Sequence, residues 1–225
     1  LCGSFAVVAA LMYNDLTLAF WLIVAGIVFD FFDGFVARLL HSSSAIGVQL
    51  DSLADVITSG LAPAAVLWQV CLQTEPCWLP EGWKLGYGVF VLAAFSALRL
   101  AKFNIDETQT VEFCGLPTPA GSLLCASLGM LWQQGAVALS SDGVLLIAVL
   151  TSLLLVSPIR MFALKFHGFG WRGNEVRYLF LLASIVLIII LRTYAIPVII
   201  VLYIVVSAVR WLCMRSGNPD KAPKA

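Results

Sequence analysis

Long apolar runs separated by short polar breaks follow one another along the whole chain. A helix needs about 20 apolar residues to cross a bilayer. Seven runs are of that order: Asp15–Leu40, Ala45–Val70, Lys84–Phe103, Pro117–Gln134, Gly143–Ile159, Val176–Leu191 and Ala195–Cys213. A shorter run, Leu1–Met12, makes an eighth. The pattern therefore predicts about eight transmembrane helices, the first one truncated, with turns at the polar breaks.

The composition supports this interpretation. Of the 225 residues, 61% are hydrophobic and 12% are charged, and the mean hydropathy is +0.97. A soluble domain of this size has about twice that share of charged residues. We expect an all-α polytopic integral membrane protein with a single transmembrane domain over residues 1–215 and a disordered tail over 216–225. Because no basic segment precedes Leu1, we interpret this residue as lying inside a longer helix.

The formal net charge is zero, with 13 basic and 13 acidic residues, and we expect no nucleic-acid partner. The distribution of the basic residues is more informative. With alternating crossings, one side of the membrane receives Arg38, Arg99, Lys102, Arg160, Lys165, Arg172, Arg177, Arg210, Arg215, Lys221 and Lys224. The other side receives Lys84 and Arg192. By the positive-inside rule the first side is cytoplasmic, which predicts a multi-pass protein of the cytoplasmic (inner) membrane with both termini in the cytoplasm.

Six cysteines are present, without a CxxC pair or a histidine at zinc-binding spacing. A metal–thiolate site is therefore not expected. Cys71 and Cys77 lie close together near a predicted external loop, and we favour two free thiols over a disulfide there.

One predicted hairpin contains far more charge than the rest of the apolar sequence. The stretch FDFFDGFVARLLHSSSAIGVQLDSLAD contains Asp30, Asp33, Asp51 and Asp55, together with Arg38. One charged side chain within a membrane costs about 3 kcal/mol, so four unpartnered aspartates are expensive. Asp30 and Asp33 are three residues apart and Asp51 and Asp55 four apart, which places each pair on one helix face.

The polar turn between these two helices sets their relative positions. His41-Ser42-Ser43-Ser44 is the polar break, and Ser43 or Ser44 can cap the second helix. In an antiparallel hairpin centred near residue 42, Asp30 is level with Asp55, and Asp33 with Asp51. Four facing carboxylates repel unless hard cations or shared protons relieve them. Ligands that are all oxygen favour Mg²⁺, Mn²⁺ or Ca²⁺, and this site has room for two such ions.

Two other readings of the acids remain open at this point. The aspartates could form a helix-packing network with Arg38, although one arginine cannot neutralise four acids. They could also mark a cation pathway through a channel or a divalent-cation transporter. Small residues on or beside the acidic faces, Gly34, Ala37 and Gly47, favour a slot for a phosphorylated ligand instead.

The spacing of these residues resembles the DxxDGxxARx8GxxxDxxxD signature of the CDP-alcohol phosphotransferase family. All eight fixed positions are present: Asp30, Asp33, Gly34, Ala37, Arg38, Gly47, Asp51 and Asp55. Segments outside the signature are similar to the phosphatidylserine synthase branch of that family: LDSLADVITSGLAPA, ALRLAKFN, GLPTPA and SPIRMFALKF. The resemblance implies a homodimer whose protomer has a six-helix core, here extended to eight.

The same resemblance implies an activity and a role for each residue. The activity is transfer of the phosphatidyl group from CDP-diacylglycerol to the hydroxyl of L-serine by direct displacement, with release of CMP. Asp30, Asp33, Asp51 and Asp55 would bind two Mg²⁺ or Mn²⁺ ions, with Ca²⁺ as an alternative, and Asp55 would also be the general base. Gly34, Ala37, Arg38 and Gly47 would bind the nucleotide.

The acceptor serine carries a carboxylate, so its site needs a cation. Cationic candidates near helix ends on the predicted cytoplasmic side are Arg99, Arg160 and Lys165, with Lys102 nearby. Glycerol 3-phosphate or inositol phosphate would need cations too, so both stay open as alternative acceptors, and only the family branch favours serine.

Overall fold

The computed structural model describes residues 1–40, 44–78, 85–105, 112–162 and 174–217. Within these ranges the chain is almost entirely helical. The α-helices are α1 Cys2–Met12, α2 Leu16–Leu39, α3 Ala45–Asp55, α4 Ala62–Gln73, α5 Val91–Ile105, α6 Thr118–Gln133, α7 Ser141–Leu155, α8 Glu175–Leu191 and α9 Ala195–Gly217. A π-helix, Val56–Leu61, joins α3 to α4, and 3-10 segments Leu85–Phe90 and Arg192–Tyr194 precede α5 and α9.

These elements correspond closely to the apolar runs of the sequence. The run predicted as Ala45–Val70 is one continuous helical rod, formed by α3, the π-helix and α4. Within the described ranges, four stretches are long and apolar enough to cross a membrane: Leu16–Ala37, Ile46–Gln73, Gly86–Ile105 and Glu175–Cys213. The predicted all-α polytopic membrane fold is confirmed. Helix α9 includes Ser216 and Gly217, the first two residues of the predicted tail, and residues 218–225 lie outside the described ranges.

The buried core lies where α1, α2, α4 and α6 pack together. Alanines on α1 and α4 allow close approach of the helices, and Phe20, Ile23, Leu67 and Met130 fill the space between them. The opposite faces of the outer helices remain apolar, as Ile188, Ile189 and Ile190 of α8 illustrate. Apolar side chains on both faces of a helix suit a protein whose surroundings are lipid.

One end of the helix bundle is held together by side-chain amides, and we name it the amide end. Asn14 accepts hydrogen bonds from Gln73 (2.8 Å) and Gln69 (3.1 Å) of α4. Gln133 of α6 accepts from the backbone N–H groups of Leu16 (2.9 Å) and Thr17 (3.1 Å) at the start of α2. These contacts bring the α1–α2 turn and the ends of α4 and α6 to one end of the bundle, as the alternating crossings predict.

The other end contains a short strand pair that the sequence pattern did not predict. Strands β1, Glu112–Cys114, and β2, Arg160–Phe162, pair antiparallel, with Cys114 opposite Arg160. The Tyr203 hydroxyl of α9 donates to the Phe162 carbonyl (3.0 Å), and the two rings lie 4.9 Å apart. The pair therefore links the α5–α6 connection to the α7–α8 connection and to α9.

Candidate active site

The four aspartates lie at the end of the bundle opposite the amides, which we name the acid end. Asp30 and Asp33 lie on α2, and Asp51 and Asp55 lie on α3. The Ser44 hydroxyl caps α3 by accepting a hydrogen bond from the Gly47 backbone N–H (3.0 Å), one of the two caps predicted from the sequence. The cap at Ser44 therefore starts α3 at a point from which its acids return to the level of those on α2, whereas His41, Ser42 and Ser43 of the predicted turn lie outside the described residues.

Three of the four carboxylates meet directly. One carboxylate oxygen from each of Asp30, Asp33 and Asp51 lies within 4.8 Å of the other two. Asp55 is half-buried and lies outside this set of three, but it interacts electrostatically with Asp33 and Asp51. The arrangement concentrates negative charge on the facing sides of α2 and α3.

The three-carboxylate set fits a divalent cation by its chemistry and its dimensions. Oxygen ligands lie 2.0–2.1 Å from Mg²⁺ and 2.3–2.6 Å from Ca²⁺, so two ligands on opposite sides of one ion are about 4 to 5 Å apart. The spacing of the Asp30, Asp33 and Asp51 oxygens is within this range. Asp33 and Asp51 are also exposed, which leaves a route by which an ion can enter.

The predicted nucleotide residues lie beside the acids on the same two helices. A Cβ atom added at Gly34 would have no neighbour within 4 Å among the described side chains and backbone. Ala37 follows on α2, and Gly47 is in the first turn of α3. Arg38 belongs to α2, but its side chain lies outside the described part of the structure.

Among the described side chains, Arg99 of α5 is a cation that lies near this group of acids, because it interacts electrostatically with Asp55. The residue is only 8% exposed, its Nη1 donates to the Thr118 hydroxyl of α6 (2.7 Å), and its electrostatic neighbours include Asp55 and Tyr203. The buried Arg99 Nε has no hydrogen-bond partner among the described residues. An arginine fixed at one nitrogen and unpaired at another is suited to receive an anionic group.

A cavity of about 320 Å³ lies beside Arg99. Residues from the ends of α5 and α7 and from β1 line it: Arg99, Lys102, Ile105, Cys114, Leu155, Val156, Ser157 and Pro158. Sequence reasoning included Arg99 and Lys102 but missed Thr118, Cys114 and Ser157. The family-like segment GLPTPA contains Thr118 and could have indicated this residue. Only the fold shows that Thr118 contacts Arg99.

Arg160 and Lys165 are the other two cations predicted for the serine site. Arg160 lies in β2, half-buried, and is not among the residues that line the cavity. Lys165 lies outside the described residues. Helix α5 also contacts α3, because Asn104 Nδ2 of α5 donates a hydrogen bond to the hydroxyl of Ser52 (2.8 Å), the residue after Asp51.

The geometry of the hairpin agrees with a comparison to known families. The sequence profile of the CDP-alcohol phosphatidyltransferases matches residues 1–157, which include the whole acidic hairpin, Arg99 and Thr118. The chain belongs to the CDP-alcohol phosphatidyltransferase family. Members of this family generally use a divalent metal ion, in agreement with the three-carboxylate set.

Several curated relatives of the chain have the same name. The chain is 32% identical over 171 residues to the CDP-diacylglycerol–serine O-phosphatidyltransferase of Bacillus subtilis, which covers 75% of this chain and 87% of that protein. The enzyme of that name from Helicobacter pylori is 32% identical over 203 residues, covering 87% of this chain and 80% of the relative. That from Mycobacterium tuberculosis is 32% identical over 240 aligned positions, covering 100% of this chain and 81% of the relative.

Proposed function

We propose that this protein transfers the phosphatidyl group of CDP-diacylglycerol to the hydroxyl of L-serine, giving phosphatidylserine and CMP. The observation that carries the proposal is the meeting of Asp30, Asp33 and Asp51 at one point of the hairpin. The names of the relatives support CDP-diacylglycerol and serine as substrates.

The acids of the hairpin hold the metal in this proposal. Asp30, Asp33 and Asp51 bind divalent cations, two Mg²⁺ or Mn²⁺ ions with Asp55 completing the set, or Ca²⁺ as an alternative. When bound, such ions neutralise the pyrophosphate and the charge that develops on departing CMP. Gly34, Ala37, Arg38 and Gly47 bind the cytidine nucleotide, and the position of Gly34 and Ala37 on the helix that carries Asp30 and Asp33 supports this role.

Asp55 acts as the general base. It accepts the proton of the serine hydroxyl while the serine oxygen forms its bond to the phosphatidyl phosphorus and the bridging pyrophosphate bond breaks, with the electron pair leaving on CMP. Because Asp55 lies outside the set of three, one of its oxygens takes the proton in this proposal while the other completes the metal site. The half-buried site beside Arg99 also limits competition from bulk water.

The serine carboxylate is received by Arg99 from within the neighbouring cavity. A charge-assisted hydrogen bond from a buried guanidinium suits a carboxylate, and the unpaired Nε supplies the donor. Lys102 on the cavity wall adds a second positive charge. Arg160 and Lys165 remain proposed serine-site residues from the sequence.

We further propose a homodimer in the cytoplasmic membrane, with the acid end facing the cytoplasm. The excess of basic residues in the connections on that side supports this orientation. In it, the acyl chains of CDP-diacylglycerol stay in lipid while the head group reaches the acids. CMP and serine then exchange with the cytoplasm.

An acceptor-dependent assay tests the proposal. Purified protein receives CDP-diacylglycerol, Mn²⁺ or Mg²⁺, and in turn L-serine, glycerol 3-phosphate or inositol phosphate. We expect CMP release with serine alone. Release only with one of the other alcohols would overturn the choice of acceptor, and Mn²⁺ uptake into proteoliposomes without CMP release would indicate a transporter.

A further inference from the structure

The helical rod that carries Asp51 and Asp55 changes its hydrogen-bond pattern directly after Asp55. Residues Val56–Leu61 form a π-helix, and the Ala62 backbone N–H donates to the Ile57 carbonyl, five residues earlier. A π turn is rare and is frequently found at functional sites. Because each residue of an α-helix turns the chain by about 100°, the extra residue of a π turn changes the direction of the α3 acids relative to the buried face of α4.

Thr58, within this π-helix, lies between two glycines of neighbouring helices. A Cβ atom added at Gly26 of α2 would lie 2.6 Å from Thr58 Cγ2, and one added at Gly3 of α1 would lie 2.6 Å from Thr58 Cα. Both helix backbones therefore rest directly against Thr58. Gly26 precedes Asp30 by four residues, about one helical turn, and Thr58 follows Asp55 by three, so this contact lies next to the acids on both helices.

The opposite side of the π-helix touches α5. A Cβ atom added at Gly60 would lie 3.0 Å from Ser96 Cβ and 3.3 Å from Ala93 Cα. Ser96 precedes Arg99 by three residues on α5. The π-helix is thus in close contact with α2 and α5, the two other helices that carry charged residues of the site.

We infer that Thr58 is a positioning residue whose contact with Gly26 sets the separation of α2 from the α3–α4 rod. That separation brings Asp30 and Asp33 to Asp51 at a spacing a divalent cation can bridge. The inference rests on the proposed function, because it concerns the metal site proposed there. Thr58 itself does not touch the metal or the substrates; it acts through the two helices.

Binding of Mn²⁺ alone, measured by electron paramagnetic resonance on the purified full chain, tests this role. Gly26→Ala pushes α2 away from Thr58, and we expect Mn²⁺ to bind about 10- to 100-fold more weakly, as for other residues that orient metal ligands. Adding Thr58→Ser removes the Cγ2 atom that causes the clash. In the double variant Gly26→Ala/Thr58→Ser we expect affinity close to that of the wild type.

Gly129→Ala is the matched control for general destabilisation. A Cβ atom added at Gly129 would overlap Val66 Cγ1 in the contact between α6 and α4, distant from the acids along both helices. We expect this variant to unfold at a lower temperature than the wild type while its folded fraction binds Mn²⁺ normally. Weakened binding in Gly129→Ala equal to that in Gly26→Ala would contradict a specific role for Thr58.

The remaining outcomes also decide the inference. Folded Gly26→Ala with wild-type Mn²⁺ affinity, or a double variant without recovery, overturns it. If Gly26→Ala does not fold, Thr58→Ala removes the same contact by loss of volume, and unchanged Mn²⁺ affinity in that variant overturns the inference. If the wild type neither binds Mn²⁺ nor releases CMP, the proposed function is overturned as well. If the wild type does both, a negative result with the variants contradicts only the role of Thr58.

Discussion

Asp142 at the amide end and Asp30 at the acid end are both carboxylates at least partly removed from water, yet their surroundings are opposite. Asp142 is 6% exposed and accepts hydrogen bonds from the backbone N–H groups of Cys77 (3.1 Å), Trp78 (2.6 Å) and Gly143 (3.0 Å). Asp30 instead faces the carboxylates of Asp33, Asp51 and Asp55. Donors surround the first acid, and acids surround the second.

The difference separates a structural acid from a functional one. Three backbone donors compensate the charge of Asp142 and fasten residues 77 and 78 to the start of α7, so this carboxylate stabilises the fold. The acids of the hairpin repel one another, and in the proposed function a bound cation compensates this repulsion. Substitutions at the two ends should therefore have opposite effects on activity and stability.

The largest expected effect is on turnover, from Asp55→Asn. The amide cannot take the proton of serine, so we expect turnover to fall about 100- to 10,000-fold. CDP-diacylglycerol binding should be largely retained, because the three-carboxylate set is intact. CMP release and binding of the radiolabelled lipid measure the two effects, and unchanged turnover would remove Asp55 as the base.

Asp51→Asn should separate metal binding from stability. The change removes one ligand, and we expect Mn²⁺ affinity to fall about 100-fold. Without metal, the unfolding temperature should stay the same or rise, because one of four repelling charges is gone. Calorimetric titration with Mn²⁺ and thermal unfolding in a chelator measure these effects. A marked loss of stability in the chelator would show that Asp51 is structural, as Asp142 is.

Asp142→Ala should give the reverse result at the amide end. The backbone N–H groups of residues 77, 78 and 143 lose their acceptor, so we expect the unfolding temperature to fall by several degrees. CMP release per folded molecule should match the wild type, because the acids lie at the other end of the bundle. Asp142→Asn keeps one acceptor oxygen, so its unfolding temperature should lie between those of the wild type and Asp142→Ala. A loss of turnover in Asp142→Ala without a loss of stability would contradict a purely structural role for Asp142.

The smallest expected effect is a difference in acid sensitivity. The Ser140 side chain and the backbone N–H groups of Trp78, Cys77 and Gly143 lower the pKa of Asp142 from 3.8 to about 2. A lowered pKa means that the carboxylate contributes its full stabilisation above about pH 4 and loses it as the pH falls towards 2. The unfolding temperature of the wild type should therefore approach that of Asp142→Asn over this range. A constant difference between the two proteins would contradict the lowered pKa.

Local patterns in the sequence predicted the acidic hairpin well. The spacing of its aspartates and the Ser44 cap involve residues close together in the chain, and helical geometry converts that spacing into position. The apolar run predicted to begin at Pro117 likewise corresponds to α6, which begins at Thr118.

Contacts between distant segments were not predictable in the same way. The hydrogen bond from Arg99 to Thr118 depends on how α5 packs against α6, and the strands β1 and β2 are too short to show an alternating pattern. Hydrophobic periodicity does not indicate the π-helix. Thr58 and Gly60 within it contact α1, α2 and α5, which are distant in the sequence. The sequence thus indicated which residues carry charge, while packing determines which of them meet.

The pairing of β1 with β2 also restrains the cavity beside Arg99. Cys114 on its wall is paired to Arg160 in β2, and Gly115 is hydrogen-bonded through its N–H to Ile159 (2.9 Å). Moving the β1 wall of the cavity away from the end of α7 would therefore break these main-chain hydrogen bonds. Part of the cavity is thus held by backbone pairing in the connecting segments, outside the helices that supply the charges.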